Sequence, residues 1–277
     1  MEKNIEISIV TVGMNHLSYL QSFLKSLFVD YPPKVSFEVI YVDNCSTDDS
    51  VSFVSKHYPA VKIIENKSVL GFGDNNNKGV LLASGRYVAI MNPDLIFLEN
   101  SLEPLYHYSE RLGYDAVIAP KLLNLDRSFQ YSVRGFITPM VFLARFFTLG
   151  NDETNNKIVQ SYLCKNIKLD RPQFIDWAIG AALFFKRELY VKLGGFDKDY
   201  FLYVEDTDIC LRAWKKGSAV IYYPQAEIIH NHLRASKKVG KKMFLHFKSL
   251  FIFFRKNGIF LKSFKNKSNF FLPNNDF

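Results

Sequence analysis

Gly85-Arg-Tyr-Val-Ala-Ile-Met-Asn-Pro-Asp94 is the stretch of sequence that decides the fold. Its residues 86–91 form a short apolar run rich in strand formers, which is typical of a strand covered on both faces in a parallel sheet. Pro93 cannot donate a hydrogen bond to a neighbouring strand, so the strand is predicted to end there. Ligands bind at the carboxyl edge of open α/β sheets. The stretch therefore predicts a functional carboxylate, Asp94, at that edge; the alternative is a simple turn.

Strand-like and helix-like segments alternate on both sides of this run. Apolar stretches predict further strands at 5–12, 37–42, 61–64 and 115–119. Helices are predicted at 17–28, from the cap at 47–50 to about residue 57, and at 98–112. The glycine- and asparagine-rich segment 71–79 is predicted to be a loop that leads into a helix ending at Ala83. This alternation predicts a doubly wound α/β sheet, with polar strand ends at Asp43, Glu65-Asn66 and Asn92–Asp94 converging on one edge.

The second half of the chain is less regular. Periodicity fades over 121–172, which we interpret as a connection with a lid or acceptor-binding insertion. Strand character returns over 174–185, helices are predicted at 187–193 and from the 205–208 cluster to Gly217, and strands at 219–223 and 227–229.

Three carboxylates begin one of these helices, in the sequence Glu205-Asp206-Thr-Asp208. Acidic residues stabilise helix N-termini, which explains one or two of them. The apolar approach at 201–204 suggests more, because a carboxylate beside an apolar pocket has a raised pKa and can serve as a general base.

Two other motifs are weaker by themselves. The segment 71–79 lacks the lysine-serine pair of a P-loop and is not GxGxxG, so its glycines can simply permit turns or its asparagines can pack under a nucleotide. His230 and His232 follow the last strand. A histidine there together with Asp94 and a diphosphate would make a divalent-metal site, although such histidines are more often structural.

Composition limits the class of protein. The chain of 277 residues is 48% hydrophobic and 22% charged, as in globular rather than disordered proteins. Its three cysteines fit neither a disulfide framework nor a metal motif. No apolar signal segment precedes the first strand, and no uncharged apolar run reaches the roughly 18 residues of a membrane span. We therefore expect a cytoplasmic protein.

The formal net charge of +8 comes mainly from the segment after residue 234, in which Asp276 is the only acid. Apolar residues recur there at helical spacing, with Lys241, Lys248 and Arg255 on the opposite side. Such a basic amphipathic helix fits contact with a membrane surface, and it equally fits a terminal helix packed on the rest of the protein. The apolar positions are Val239, Met243, Phe244, Phe247, Leu250, Phe251 and Phe254.

Taken in order, these stretches resemble the family 2 glycosyltransferases with a GT-A fold, and among them the rhamnosyltransferase-like bacterial enzymes of polysaccharide assembly. The resemblance extends to about Ser236. It is carried by SIVTVGMN at 8–15, VDNCSTD at 42–48, 66–72, NNNKG at 75–79, MNPD at 91–94, WAIG at 177–180, GGFD at 194–197, FLYVEDTD at 201–208, Arg212 and His230.

The resemblance implies a Rossmann-like, mixed but mainly parallel sheet flanked by helices. It implies a GT-A domain at 1–236, with a nucleotide-sugar-binding half (1–120) and an acceptor-binding and catalytic half (121–236), followed by the basic amphipathic tail (237–277). Gly13-Met14 departs from the commoner Thr-Tyr of the family.

The resemblance also implies roles for individual residues. Asp206 would be the catalytic base, with Glu205 beside it toward the acceptor. Asp94, in the place of the family's DxD variant, and His230 would hold Mn²⁺ or Mg²⁺, with His232 as the competing imidazole. A UDP- or dTDP-sugar would be bound by Thr11, Val12, Gly13, Asp43, Asn66, Gly71, Asn75, Asn76, Asn92, Trp177 and Arg134.

The implied function is an inverting, metal-dependent transfer of a sugar, with rhamnose a candidate, to a glycan or polyprenyl-linked acceptor at the inner face of the plasma membrane. A nucleotidyltransferase would need a basic, glycine-rich loop at 13–16, which the sequence lacks. A non-catalytic glycan- or lipid-binding relative would be expected to lose Asp94 or Asp206, and both are present. Nucleic-acid binding is disfavoured because the positive charge lies on a tail with an apolar side.

Overall fold

The computed structural model describes residues 4–165, 168–231, 241–264 and 270–273, with only the backbone of residues 241 and 242. Its strands are β1 (Ile7–Gly13), β2 (Phe37–Asp43), β3 (Lys62–Glu65), β4 (Tyr87–Met91), β5 (Leu95–Phe97), β6 (Ala116–Leu123), β7 (Val133–Arg134), β8 (Gln173–Phe174), β9 (Trp177–Ala178), β10 (Ala182–Lys186) and β11 (Ala219–His230). Its helices are α1 (Leu17–Lys25, continued by a π-helical turn at Ser26–Asp30), α2 (Ser50–His57), α3 (Phe72–Leu81), α4 (Glu103–Arg111), α5 (Pro139–Phe147), α6 (Lys157–Tyr162), α7 (Arg187–Leu193), α8 (Glu205–Lys215) and α9 (Lys241–Asn257).

The predicted α/β sheet is confirmed. Within the described residues its strands follow the order β3-β2-β1-β4-β10-β6-β11-β5, and β8 pairs with β11. The pairs among β1 to β4 are parallel, as is β6 with β11, whereas β10 runs antiparallel between β4 and β6. All five residues of β4 are buried, as expected for a central strand covered on both faces. The ends of β1, β2 and β4 therefore meet at one edge of the sheet.

The prediction of a loop at 71–79 is wrong, because α3 already begins at Phe72. The Asn75 side chain donates a hydrogen bond of 2.9 Å to the carbonyl one turn earlier, which supports the helix despite its poor intrinsic propensity. A Cβ at Gly79 would lie 2.3 Å from Val10 Cγ1, so glycine lets the helix lie directly on β1. Tertiary packing overrides the local signal here.

Three further boundaries differ from the predictions. The strand at 174–185 is three short strands, because β9 leaves the main sheet to pair with β7. The two strands at 219–229 are one strand, β11, with an irregularity between Tyr223 and Glu227. The helix at 98–112 begins only at Glu103, because the chain before it forms β5 and pairs with β11.

Part of the basic tail forms α9, whereas Val239 and His232 lie outside the described residues. The predicted apolar positions differ in burial: Leu250 is buried against the domain, Phe254 is half-buried, and Met243, Phe244, Phe247 and Phe251 are exposed. Within the described residues, no helix is both long enough and apolar enough to cross a membrane.

Candidate active site

Asp206 lies in the first turn of α8, where backbone N–H groups fix its carboxylate. Oδ2 accepts a hydrogen bond of 2.9 Å from Gly180 N, and Oδ1 accepts one of 2.7 Å from Thr207 N. Oδ1 also accepts a long hydrogen bond of 3.5 Å from Thr207 Oγ1, and Oδ2 retains a second acceptor position. Burial raises the pKa of Asp206 above its usual value, although the two hydrogen bonds from backbone N–H groups oppose the shift. The carboxylate is thus held in one orientation and can still accept a proton.

Glu205 and Asp208 differ from Asp206 in their surroundings. Glu205 is 5% exposed and its Oε2 accepts no hydrogen bond. Burial, followed by the charge of Asp206, raises the pKa of Glu205 well above its ordinary value. Asp208 instead pairs with Arg212 at 2.6 Å. Of the three predicted carboxylates, the buried Glu205 and the half-buried Asp206 therefore form an acidic pair, and the buried Asp208 joins an ion pair with Arg212.

The backbone immediately before this pair is strained. Tyr203 and Val204 have φ values of 69° and 71°, a left-handed conformation that is rare for a bulky or β-branched residue. Helix α9 contacts this loop: the Tyr203 ring stacks on His246 with centroids 5.0 Å apart, and Ser249 Oγ donates a hydrogen bond of 2.9 Å to Leu202 O. Such strain persists where surrounding contacts enforce it, and it is common at functional sites.

Asp94 and His230 lie next to each other where β5 pairs with β11. Asp94 Oδ1 is buried, accepts no hydrogen bond, and lies 3.4 Å from His230 Nε2. Strand pairing brings the two together, because Leu95 of β5 is opposite His230 of β11. The two residues that the sequence analysis assigned to one metal site thus lie next to each other in the structure.

Gln130 is a residue that the sequence analysis missed. Its Oε1 lies 2.6 Å from His230 Nδ1, and its Nε2 donates to Asn124 Oδ1 at 3.1 Å. This arrangement assigns the proton to Nδ1 and turns the Nε2 lone pair toward Asp94. Gln130 lies in the segment without periodicity, so no pattern in the sequence marked it.

Asp206 and Asp94 belong to one constellation that is joined through Gly180 and Ala181. Gly180 N donates to Asp206, and the carbonyl of the next residue, Ala181, accepts a hydrogen bond of 2.8 Å from Asn92 N. The start of β10 therefore links the first turn of α8 to the Asn92–Asp94 turn. A Cβ at Gly180 would lie 3.2 Å from the Asp206 Cβ, so this approach is close.

The end of β1 offers the predicted nucleotide edge. Thr11 is fully buried and its Oγ1 has no hydrogen-bond partner, Val12 is half-buried, and a Cβ at Gly13 would lie 2.8 Å from the Tyr41 hydroxyl. Asp43 is buried and accepts hydrogen bonds of 2.9 Å from Tyr41 Oη and from Ser46 N. The orientation of the Asp43 carboxylate is thus set by the protein itself.

Most side-chain amides of the asparagine cluster next to this edge form hydrogen bonds with one another or with the local backbone. Asn66 Nδ2 donates to Asn75 Oδ1 and, at 3.3 Å, to Asn44 Oδ1, while Lys78 Nζ donates to Asn66 Oδ1. Asn75 is fully buried. Asn76 is also buried and donates to Phe72 O at 2.9 Å. These amides hold the local backbone in shape. Asn44, which sequence analysis missed, could have been found from its position in the polar end of β2.

Gly71 joins this cluster to the loop before α8. A Cβ at Gly71 would lie 2.6 Å from the carbonyl oxygen of Phe201, which accepts a hydrogen bond of 2.9 Å from Phe72 N. Glycine therefore permits direct contact between the start of α3 and the strained loop.

Arg134 and Trp177 are paired across the small β7–β9 ladder. Arg134 Cζ lies 5.4 Å from the centre of the Tyr162 ring, and its Nη1 is buried without a hydrogen-bond partner. Trp177 is buried and donates a hydrogen bond of 2.7 Å to Gly135 O. The positive field of Arg134 also reaches Asp206 and lowers the pKa of that carboxyl slightly against the effect of burial. A buried guanidinium donor of this kind suits an anionic ligand.

Tyr162 lies between Arg134 and a cavity of about 440 Å³. Its lining residues come from the insertion, from the segment between β8 and β9, and from the chain after α9: Gly135, Phe136, Thr138, Met140, Val141, Lys157, Ile158, Ser161, Tyr162, Asp176, Leu261 and Ser263.

The described residues contain no group of three or more His, Cys, Asp or Glu side chains that could hold a metal ion. The predicted pair Asp94–His230 thus supplies two protein groups. A Mg²⁺ or Mn²⁺ ion commonly takes its remaining ligands from water and substrate phosphates.

The mixed, mainly parallel sheet flanked by helices is a GT-A fold, as its likeness to two solved structures shows. The structure is similar to that of GalNAc-T7 with UDP, GalNAc and Mn²⁺, with a TM-score of 0.65 and 16% identity over 92% of this chain and 48% of that chain. It is also similar to Staphylococcus aureus TarS with UDP-GlcNAc, with a TM-score of 0.59 and 17% identity over 87% of this chain and 61% of that chain.

The family models describe "Glycosyl transferase family 2" at residues 8–166 and "Glycosyl transferase family group 2" at 129–238. The chain belongs to glycosyltransferase family 2 and is rhamnosyltransferase-like. It is 28% identical to the rhamnosyltransferase WbbL of Escherichia coli over 96% of this chain and 100% of that protein. It is 26% identical to the N-acetylglucosaminyl-diphospho-decaprenol L-rhamnosyltransferase of Mycobacterium tuberculosis over 89% of this chain and 83% of that protein.

Proposed function

We propose that the protein is an inverting glycosyltransferase that moves a sugar, with rhamnose the leading candidate, from a UDP- or dTDP-sugar to a lipid-linked glycan acceptor. The observation that carries the proposal is the oriented carboxylate of Asp206, joined through Gly180 and Ala181 to the turn that bears Asp94. The names of the two relatives support the sugar and the acceptor class. In this proposal residues 1–120 bind the donor, and residues 121–236 bind the acceptor.

The proposed reaction is a single displacement at the anomeric carbon. The acceptor hydroxyl oxygen forms the new bond to this carbon, the bond from the carbon to the diphosphate oxygen breaks, and the hydroxyl proton passes to Asp206. A raised pKa favours this role, because a base is most effective when its pKa approaches the working pH. Attack from the face opposite the diphosphate inverts the configuration. Arg134, with its buried unpartnered Nη1, would bind negative charge on the leaving group or acceptor.

A divalent ion fits the residues at the Asp94 end of the site. The buried Asp94 Oδ1 accepts no hydrogen bond, and His230 Nε2 lies 3.4 Å from it. Asp94 and His230 would hold Mn²⁺ or Mg²⁺, which would neutralise charge on the departing diphosphate as a Lewis acid. A histidine that binds a metal is commonly oriented by a hydrogen bond at its other ring nitrogen. Gln130 Oε1 is the partner of that nitrogen, Nδ1, in His230.

Replacing Gln130 with leucine is expected to weaken Mn²⁺ binding by about 10- to 100-fold, because His230 loses the partner that orients its ring. Titration of free Mn²⁺ by electron paramagnetic resonance measures this directly. The control is Gln160→Leu. Among the described residues, the side-chain amide of Gln160 donates a hydrogen bond to Thr154 O, a loop carbonyl in the insertion. Equal Mn²⁺ affinity in both variants would show that Gln130 does not support a metal ligand.

A thermal-shift screen tests the proposed donor class. Purified protein is heated with UDP-, dTDP- and GDP-sugars, each with and without Mn²⁺. A donor at 100 times its Kd stabilises the folded state by about 2.7 kcal/mol, which raises Tm by about 5 °C. We expect this shift with a UDP- or dTDP-sugar. No shift with any nucleotide sugar would favour a non-catalytic glycan- or lipid-binding protein instead.

A further inference from the structure

Helices α5 and α9 meet at a contact between two phenylalanine rings, and each helix leaves large apolar side chains exposed. The rings of Phe142 and Phe247 meet edge to face with centroids 5.8 Å apart, which joins the insertion to the C-terminal helix. Around this contact lies what we call the two-helix surface: Leu143, Phe146 and Phe147 of the insertion, and Phe244, Phe247 and Phe251 of α9.

The exposure of these side chains is high. Phe147 is 78% exposed, Phe244 is 70% exposed and Phe251 is 69% exposed. Exposed apolar residues scattered singly are ordinary, as with Val29 and Val191 elsewhere in this chain. Several exposed phenylalanines on two helices that are joined by a ring contact are different, because grouped apolar side chains mark interaction sites.

Positive charge lies next to the two-helix surface and indicates an anionic partner. Lys248 and Arg255 are exposed, and each lies one helical turn from an exposed phenylalanine of α9, Phe244 and Phe251 respectively, rather than on the opposite side of the helix as predicted. From Arg234 to the end, the chain contains eleven Lys and Arg residues and one acid, Asp276. Apolar side chains flanked by cations suit a bilayer whose headgroups are anionic.

The two-helix surface continues into the 440 Å³ cavity next to the candidate active site. Met140 and Val141 of α5 and Leu261 after α9 line this cavity together with Lys157. Its wall at Tyr162 contacts Arg134. A cavity lined by apolar side chains, one cation (Lys157) and one acid (Asp176) thus lies between the exposed helices and Arg134.

We propose that the two-helix surface binds the face of an anionic lipid bilayer and turns the cavity toward the headgroups. The surface includes α5 of the insertion, so binding would not depend on the tail alone. This inference rests on the proposed function, in that a lipid-linked acceptor would enter the cavity from the bilayer that the surface contacts.

The test is co-sedimentation of the full chain with vesicles of phosphatidylcholine alone or mixed with phosphatidylglycerol. We expect binding to the anionic vesicles that weakens with added salt. The double variant F147S/F251S should bind at least about tenfold more weakly than the wild type, because it removes one exposed aromatic side chain from each helix. The matched control, V29S/V191S, removes two exposed apolar side chains elsewhere and should bind as the wild type does. His246 and Ser249 stay unchanged because they contact the strained loop before α8.

The single variant F147S isolates the contribution of α5. If it binds vesicles as tightly as the wild type while F251S does not, the tail alone makes the contact and the two-helix surface is refuted. Equal binding by the double variant and its control also refutes it. So does a concentration-dependent dimer, seen by analytical ultracentrifugation, that F147S/F251S abolishes while no form binds vesicles.

The nucleotide-sugar thermal shift, measured on the same preparations, separates this inference from the proposed function. A donor-induced shift without vesicle binding overturns only the membrane surface. Vesicle binding without a thermal shift from any donor supports the membrane-binding inference and overturns the proposed sugar-transfer function.

Discussion

Asp206→Asn is expected to lower kcat for sugar transfer by about a thousandfold, because removal of a general base costs 10²- to 10⁴-fold. Asparagine has the shape of aspartate but cannot take the acceptor proton. Release of the nucleoside diphosphate in the presence of acceptor measures the rate. The variant should still show the donor-induced thermal shift, because the proposed donor contacts lie at the ends of β1, β2 and β4.

The pH profile provides a second readout of the same prediction. Asp206 must be ionised to act, and burial raises its pKa. The wild-type kcat should therefore fall as the pH is lowered, and this fall should begin above the ordinary range of an aspartate, about 3.9. The residual activity of D206N should not show this acid limb.

Two variants make the Asp206 experiment decisive. Asp126→Asn removes the charge of an exposed turn carboxylate and should leave kcat unchanged. Glu205→Gln tests the other member of the acidic pair, whose Oε2 accepts no hydrogen bond. If E205Q loses activity and the acid limb while D206N retains both, Glu205 is the base and the assignment of Asp206 is wrong.

The sequence predicted the sheet well because its signal is local. Residues 86–91 are apolar throughout and stop at a proline, and the structure contains β4 at Tyr87–Met91 with every residue buried. The polar strand ends converge because parallel strands bring their carboxyl ends to one edge. For this reason Asp43 and Asp94 were recognisable as candidates without any knowledge of contacts.

The features that the sequence did not predict depend on contacts between distant residues. Helix α3 contains glycine and asparagine, and it forms because Gly79 packs on Val10 and because Asn75 bonds within the helix. Gln130 lies beside His230 although the two are 100 residues apart. The stacking of His246 on Tyr203 likewise joins the C-terminal helix to the strained loop before α8. No periodicity carries this information.

Asp94→Ala is expected to remove the metal dependence of donor binding and to lower kcat by about a hundredfold or more. The variant removes the buried oxygen that lies 3.4 Å from His230 Nε2, and with it one of the two protein groups proposed to hold the ion. The thermal shift with the donor is measured with and without Mn²⁺. In the wild type Mn²⁺ should increase the shift, and in D94A the two curves should coincide. Asp126→Ala is the matched control and should retain the Mn²⁺ effect.

The comparison of D94A with D206N separates the two ends of the site. D206N should bind donor and Mn²⁺ normally and fail only in transfer, whereas D94A should fail already in metal-dependent donor binding. If D94A retains the full Mn²⁺ effect, the ion is not held by Asp94. If EDTA leaves the wild-type shift and kcat unchanged while D94A still loses activity, Asp94 acts without a metal. The positive charge that offsets the departing diphosphate would then have to come from the protein. Arg134 is a candidate, because its Nη1 is buried without a hydrogen-bond partner among the described residues and its charge acts on Asp206.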